Sequence, residues 1–293
     1  MTTFKSIGLV GRLSSDKARR TTEQLIAFLR SKQVSVMLST ELAHTLKINS
    51  VPQGEEKDIG TTCDLVIVIG GDGSMLGAAR AMADHRVPLL GVNRGRLGFL
   101  TDIMPHEIET KVTAVLEGEY LSESRFLLDM VVVRDGKPIG HGDALNDVVL
   151  HPGRYIRMIE FELYIDDHFV YSQRSDGLIV STPTGSTAYA LSGGGPLMHP
   201  KLEAVVLVPL NAHTLTSRPI VVAADSQIRL IIGEENSTYP HITCDGQTHV
   251  VTEPGDEVHI SLKPNRLTLI HPRDHDFYDT CRTKLGWASH LTQ

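Results

Sequence analysis

The chain changes rhythm once along its length. Over residues 1–124, short apolar runs alternate with stretches of helical spacing. Ile7–Val10, Val34–Leu38, Leu65–Ile69 and Pro88–Val92 are of strand type. An uninterrupted run such as Leu65-Val66-Ile67-Val68-Ile69 suits a strand covered on both faces, as in a parallel sheet. Between these runs, Thr21–Arg30 sets Leu25, Ile26, Phe28 and Leu29 at mixed helical spacing behind threonines suited to capping. Ser74–Arg80 reads as helix, and Glu107–Leu116 as a helix ending near Gly118. Strands alternating with helices predict βαβ units and an α/β domain with a Rossmann-like parallel sheet over residues 1–124.

From Phe126 onward, short strands dominate: Leu127–Val133, Asp147–Leu150, Met158–Ile165, Leu178–Ser181, Val205–Val208, Gln227–Ile232, Glu257–Leu262 and Leu267–Ile270. Glu160-Phe161-Glu162-Leu163-Tyr164-Ile165 alternates polar and apolar, the period of a strand with one face buried. Asp135-Gly136, Asp166-Asp167, Asp245-Gly246 and Pro254-Gly255-Asp256 punctuate the series as turns. The pattern predicts a β-sandwich-like second domain over residues 125–271. Phe277–Leu285 reads as a last helix, with residues 272–293 packing back on the first domain.

Length and charge narrow the function. At 293 residues the chain has room for two domains. A net charge of −7 argues against a nucleic-acid-binding surface, and no apolar run approaches the roughly 20 residues of a membrane helix. The N-terminal residues run straight into a strand without the apolar core of a signal peptide, so a cytoplasmic protein is expected. Cys63, Cys244 and Cys281 lie far apart and form no CxxC, which points to neither a disulfide framework nor a zinc site. His271 and His275 stand four apart, but Pro272 between them opposes a helix and no HExxH occurs. No protein-built metal site is expected.

Three motifs carry candidate chemistry. The first is Gly70-Gly71-Asp72-Gly73, at the junction of an apolar strand and a helix. Glycines there let backbone approach a phosphate, and the helix start favours an anion. Asp72 is adverse to a phosphate and therefore suggests a chemical role, although a helix cap is the plainer reading. No Gly-Lys-Ser/Thr follows, so this is not a Walker A loop, and Gly71, Gly73 and Gly77 are spaced one residue too long for a dinucleotide fingerprint. The second motif is Thr182-Pro183-Thr184-Gly185-Ser186-Thr187-Ala188-Tyr189, running on through Ala190-Leu191-Ser192. Its hydroxyls and amides suit phosphate or sugar, and Tyr189 suits stacking on a base. It contains no G-x-S-x-G nucleophile elbow. The third is Asn146-Asp147, where Asn suits a base edge and Asp a ribose hydroxyl, unless the pair merely marks a turn.

Taken in order and spacing, these motifs resemble the bacterial NAD kinase (ATP-NAD kinase) family. Asn93-Arg94-Gly95-Arg96-Leu97-Gly98-Phe99-Leu100-Thr101, Ser172-Gln173-Arg174-Ser175-Asp176-Gly177 and Thr283-Lys284-Leu285-Gly286-Trp287 match further family segments, so the resemblance runs from about Ile7 to Trp287. It implies ATP-dependent phosphorylation of the adenosine-ribose 2′-hydroxyl of NAD, giving NADP. It also implies ATP as phosphoryl donor, a divalent metal such as Mg2+ arriving with ATP, and a homo-oligomer, either tetramer or dimer. By position, the resemblance makes Asp72 the proton acceptor and sets Gly73 against the phosphates. It has Asn146 and Asp147 hold the adenosine end, and Arg157, Arg174 and Asp176 touch ligand. Thr187, Ala188, Tyr189, Ala190, Leu191 and Ser192 line the dinucleotide, with Tyr189 near its adenine, and Gln247 is a further contact. Asp147 stands where many members carry Glu, and Arg157 where relatives carry His. A lipid or sugar kinase of the same superfamily would share Gly70–Gly73, and a non-enzymatic NAD(P)-binding sensor would share the Thr184–Tyr189 loop without needing Asp72. A dinucleotide-dependent dehydrogenase is disfavoured by the missing GxGxxG.

Overall fold

The structure is a computed structural model that describes residues 3–11, 16–95, 98–154, 157–214 and 216–287. Arg96 and Leu97 of the family segment lie outside the described residues. The chain divides into two compact units, one comprising residues 1–124 with 267–293, the other residues 125–266.

In chain order the first unit contains β1 (Ser6–Val10), α1 (Asp16–Ser31), β2 (Ser35–Ser39), α2 (Thr40–Leu46), β3 (Gln53–Gly54), α3 (Glu56–Thr62), β4 (Leu65–Ile69), α4 (Asp72–Met82), β5 (Leu89–Val92) and α5 (Ile108–Leu116). Its strands run in the order β5-β4-β1-β2-β3, and every pairing is parallel. All five residues of β4 are buried, as its unbroken apolar run requires. On α1, Thr21, Thr22, Leu25, Ile26 and Leu29 are buried while Glu23, Gln24 and Arg30 are exposed, the one-sided stripe of a surface helix. That stripe joins Ile7, Leu9, Leu38, Leu65, Ile67, Ile69 and Leu90 in one apolar core. The helices α2 and α3 add to the sequence reading. Ser39 caps α2 by accepting from the Leu42 N–H, and Lys47 closes it in the left-handed conformation.

The second unit follows with β6 (Tyr120–Arg134, entering from the first unit), β7 (Lys137–Ala144), β8 (Asp147–His151), β9 (Ile159–Ile165), β10 (His168–Ser175), β11 (Gly177–Ser181), α6 (Tyr189–Ser192), β12 (Ala204–Leu210), β13 (Ile220–Ala223), β14 (Ile228–Ile232), β15 (His241–Cys244), β16 (Thr248–Val251) and β17 (Glu257–Pro272). One sheet has the order β13-β12-β11-β8-β15-β16; β10-β9-β14-β17 belong to another, in which β6 pairs with β17 and β7. Every pairing in the first of these sheets is antiparallel. A single core joins inward residues from both: Leu128, Met130, Phe161, Leu163, Leu230 and Val258 with Val148, Leu150, Leu178, Val180, Leu207 and Ile242. Two sheets sharing one apolar layer make a sandwich. Phe161 is fully buried at its centre. Phe161→Ala is expected to lower the unfolding free energy by about 3–5 kcal/mol, the range for emptying a buried aromatic site, as read by urea titration.

The sequence suggests two strands, Glu257–Leu262 and Leu267–Ile270. The structure has one strand, β17, running through Pro264. Proline is tolerated where its missing N–H takes no ladder position. In consequence the chain re-enters the first unit at Leu267, inside β17, rather than at 272. There Leu269 and Ile270 pair in parallel with Leu89 and Leu90, next to β5. The chain then forms α7 (Phe277–Leu285), started by Asp276 accepting from the Tyr278 and Asp279 N–H groups and stopped by Gly286 at φ 65°. No helix among the described residues is long and apolar enough to cross a membrane.

Candidate active-site elements

In the first unit the glycine turn joins β4 directly to α4, and Asp72 is the first helical residue. Gly70 has to be glycine, since a Cβ there would stand 2.2 Å from Ser74 Oγ. A Cβ on Gly71 or Gly73 would meet nothing within 4 Å, so the backbone of the turn faces open space. Asp72 is not the cap of its own helix. Its carboxylate reaches across to a loop 27 residues away: Phe99 N–H donates to Oδ2 at 2.9 Å and Leu100 N–H to Oδ1 at 3.0 Å. Thr101 Oγ1 lies 3.5 Å from Oδ1 and accepts from Asn93 Nδ2 at 2.9 Å. Asn93 Oδ1 in turn accepts from the Gly95 N–H at 2.7 Å. Asn93, Phe99, Leu100 and Thr101 thus form a clamp that fixes the orientation of Asp72. A carboxylate offers about four acceptor sites, and the two backbone bonds leave acceptor capacity for an incoming proton.

The second unit contains a cavity of about 690 Å³, within the size range of small-molecule sites. Of the residues singled out from the sequence, Asn146, Asp147, Arg157, Asp176, Ala188 and Tyr189 line it. Tyr189 is 47% exposed, an aromatic face left open in the wall. Asn146 Oδ1 is buried without a hydrogen-bond partner, an acceptor in want of a donor. Asp147 is buried; burial first, and the neighbouring Asp245 carboxylate second, push its pKa up to about 7. His151, also in the wall, has its pKa lowered by burial and by the nearby His241 and His249. Asp176 Oδ2 accepts from Asn211 Nδ2 at 2.8 Å.

The structure does not bring the remaining predicted residues to the cavity wall. Ala190 is buried in an apolar cluster with Val149, Ile179 and Val208. Arg174 is exposed and lies 3.9 Å from Glu160. Thr187 donates to the Thr184 carbonyl at 3.2 Å, while Leu191, Ser192 and Gln247 are at least partly exposed outside the wall. Asp72 and Gly73 belong to the other unit.

The hydroxyl-rich loop is held in place by its own side chains, whose remaining lone pairs stay available to a ligand. Its hydroxyls bond both within the loop and to neighbouring segments. Thr182 Oγ1 donates to the Leu145 carbonyl at 2.5 Å, Ser186 Oγ to the Pro183 carbonyl at 2.7 Å, and Thr184 Oγ1 accepts from Arg125 at 3.3 Å. A Cβ on Gly185 would stand 2.2 Å from the Asn146 carbonyl oxygen, so glycine permits loop and Asn146-Asp147 turn to pack backbone against backbone. Asp245 is the residue that sequence reasoning missed. Read only as a hairpin turn, and indeed holding φ 51°, it also accepts from the N–H groups of Leu145 at 3.1 Å, Asn146 at 2.8 Å and Asp147 at 3.2 Å. No local signal marks that bond set, because its partners lie about a hundred residues upstream.

The sequence matches the ATP-NAD kinase N-terminal domain over residues 7–120 and the ATP-NAD kinase C-terminal domain over residues 145–272. It is 59% identical over 290 residues to the NAD kinase of Teredinibacter turnerae and 60% identical over 290 residues to that of Saccharophagus degradans, in each case across 99% of both chains. Among solved structures, an NAD kinase from Archaeoglobus fulgidus in complex with ATP superposes with a TM-score of 0.73 at 25% identity, covering 96% of this chain and 97% of that one. Yeast NADH kinase complexed with NADH shares the fold with a TM-score of 0.89 at 24% identity, covering 98% of this chain and 89% of that one. A glycine turn with a clamped carboxylate, a cavity bordered by Asn146, Asp147 and Tyr189, and full-length similarity of this depth lead to one conclusion: the chain belongs to the NAD kinase family.

Proposed function

We propose that the chain catalyses ATP-dependent phosphorylation of NAD at the adenosine-ribose 2′-hydroxyl, with Asp72 as proton acceptor. The observation that carries this reading is the clamp on Asp72. A carboxylate held by two backbone N–H groups at the mouth of an open glycine turn is oriented without being used up. As the ribose oxygen forms its bond to the γ-phosphorus of ATP, ADP departs and the hydroxyl proton passes to Asp72. General-base assistance of this kind contributes about 10²–10⁴-fold, and positioning and charge neutralisation supply the rest. Gly73 lies against the phosphates, where the open space around its Cα supports close approach.

The cavity of the second unit binds the dinucleotide. Asn146, with its unsatisfied Oδ1, accepts from a base or sugar donor. Asp147 accepts from ribose hydroxyls, and Tyr189 stacks on adenine. Arg157 and Asp176 border the bound nucleotide, with Arg174, Thr187, Ala190, Leu191, Ser192 and Gln247 in support through the segments that carry them. A divalent metal, Mg2+ in type, accompanies ATP. Among the described residues, neither group of side chains spaced to hold an ion includes a residue of the glycine turn, so the ion is assigned to the phosphates of ATP and no step is routed through it. The reading further takes the protein as cytoplasmic and as a homo-oligomer, on the family resemblance.

The raised pKa of Asp147 gives a direct test of the binding half. The ionised carboxylate is the stronger acceptor for a ribose hydroxyl, and it is about a tenth populated at pH 6 and about nine-tenths at pH 8 when the pKa is near 7. NAD affinity, measured by calorimetry, is expected to tighten about ten-fold from pH 6 to pH 8, and Asp147→Asn to remove the step. An affinity that weakens across this range would mean that the protonated acid is the binding form. The same shift has a stability sign: the folded carboxyl keeps its proton longer than the unfolded one. The unliganded protein therefore loses stability as pH rises from the usual carboxylate range to about 7.

A further inference from the structure

One cluster in the first unit has no part in the reaction above. Asp102 follows the clamp loop, His271 is near the end of β17, and His275 precedes α7. Their ligand atoms all lie within 4.8 Å of one another. His271 Nδ1 contacts Oδ2 of Asp102, and His275 Nδ1 lies 3.3 Å from Oδ1 of the same carboxylate. The side chains of His271, His275 and Asp102 are 1%, 8% and 11% exposed. A turn over Pro272 to His275, closed by the His275 N–H on the Pro272 carbonyl at 3.0 Å, brings the two imidazoles face to face, with centroids 4.0 Å apart. The proline that opposes a helix between them is what makes this turn possible.

We propose that Asp102, His271 and His275 form a binding site for a transition-metal dication of the Zn2+ class, which fastens the β17–α7 corner to the loop after Thr101. Three observations support it independently of the assignment of Asp72. The first is ligand spacing. Two donors bound at about 2.1 Å to one tetrahedral ion stand about 3.4 Å apart, close to the separation of His275 Nδ1 and Asp102 Oδ1, while the short hydrogen bond of His271 Nδ1 to Asp102 Oδ2 opens and loses its proton as the ion enters. The second is the outer partner of His271. If Nδ1 holds the ion, Nε2 carries the proton. Nε2 is buried without a hydrogen bond, and Glu123 Oε2 lies 3.8 Å from it. A carboxylate behind the far nitrogen is the usual support of a metal-bound imidazole.

The third observation is charge. Asp102 brings a negative charge to a buried place against the two imidazoles, and a buried charge requires compensation. A dication supplies that charge between neutral rings, where two protonated rings would stack as cations 4.0 Å apart. The charged residues of the intervening turn are engaged elsewhere: Arg273 with Glu119 at 2.8 Å and Asp274 with Lys111 at 3.1 Å. The other cluster of this kind, Asp129, His141 and Asp143 in the second unit, differs on this point. There Lys263 Nζ already stands 2.7 Å from Asp143 Oδ2, so a protein cation fills the place.

The test uses the full-length protein after chelation and dialysis, titrated with ZnCl2 and, separately, with CoCl2. The expected result is one ion per chain by equilibrium dialysis, with a Kd of about 1 μM or tighter. The thermal midpoint should rise by about 5–10 °C at saturating zinc, and the cobalt form should show the visible absorption of a low-coordinate nitrogen–oxygen site. His275→Phe, which keeps a ring for stacking, and Asp102→Asn should each abolish the ion, the shift in midpoint and the cobalt band. His141→Ala should retain all three. Failure of the wild-type protein to bind a stoichiometric ion, or undiminished binding by folded His275→Phe, would overturn the proposal.

Discussion

Asp72→Asn is expected to lower kcat by about 10²–10⁴-fold while leaving the affinity for NAD unchanged. The amide nearly matches the carboxylate in shape but cannot take up a proton. It also brings an NH2 group to one of the two backbone donors, Phe99 or Leu100, that now point at the carboxylate. One of those bonds must be given up, so a modest loss of stability accompanies the loss of turnover. The two effects separate cleanly: a fall in kcat at unchanged NAD affinity reports the missing base, whereas a fall in thermal midpoint reports the missing bond. If Asp72→Asn retained more than about a tenth of wild-type kcat, another group would be the proton acceptor.

Gly98→Ala should come close to this loss without touching any acid or base. An added Cβ would stand 2.1 Å from Asp72 Oδ1 and 2.5 Å from Thr101 Oγ1. Neither approach is possible, so the carboxylate must swing off the Phe99 and Leu100 amides. A base displaced by about 1 Å costs about 10² in rate. The expected outcome is a kcat reduced about a hundred-fold with NAD affinity within a factor of about two, because the cavity of the second unit is unaltered. Steady-state kinetics with parallel NAD calorimetry distinguishes this from general misfolding, which would lower both.

Much of the architecture is legible in the sequence because it rests on periodic burial. The all-apolar β4 followed by a glycine turn, the alternation in β9, and the Asp276-to-Gly286 span of α7 each carry a local physical signature. The omissions have physical causes as well. The seven-residue helices α2 and α3 are too short to display a period, and α3 has a glycine, Gly60, where a Cβ would come 2.5 Å from the His85 ring. Pro264 looks like a strand terminator but is carried within β17. At the site, the residue types were visible and their partners were not. Asp72 stands out by its adverse charge, yet the clamp that orients it is a long-range contact. Asp245 hides in a turn signature. The hydroxyls of Thr182–Thr187 advertise ligand binding, and the fold also gives them partners in Leu145, Arg125, Pro183, Met198 and Thr184 that no local pattern announces. Composition reports what a side chain can bond to, and only the fold decides which partner it meets.

The most direct measurement supplies the purified protein with NAD, ATP and Mg2+ and follows NADP with an NADP-specific dehydrogenase while ADP is counted in parallel. The account predicts one NADP, phosphorylated at the adenosine-ribose 2′-oxygen, for each ADP released, with diacylglycerol and sphingosine left unmodified in side-by-side reactions. ADP release without NADP, or phosphorylation of either lipid in preference to NAD, would contradict it.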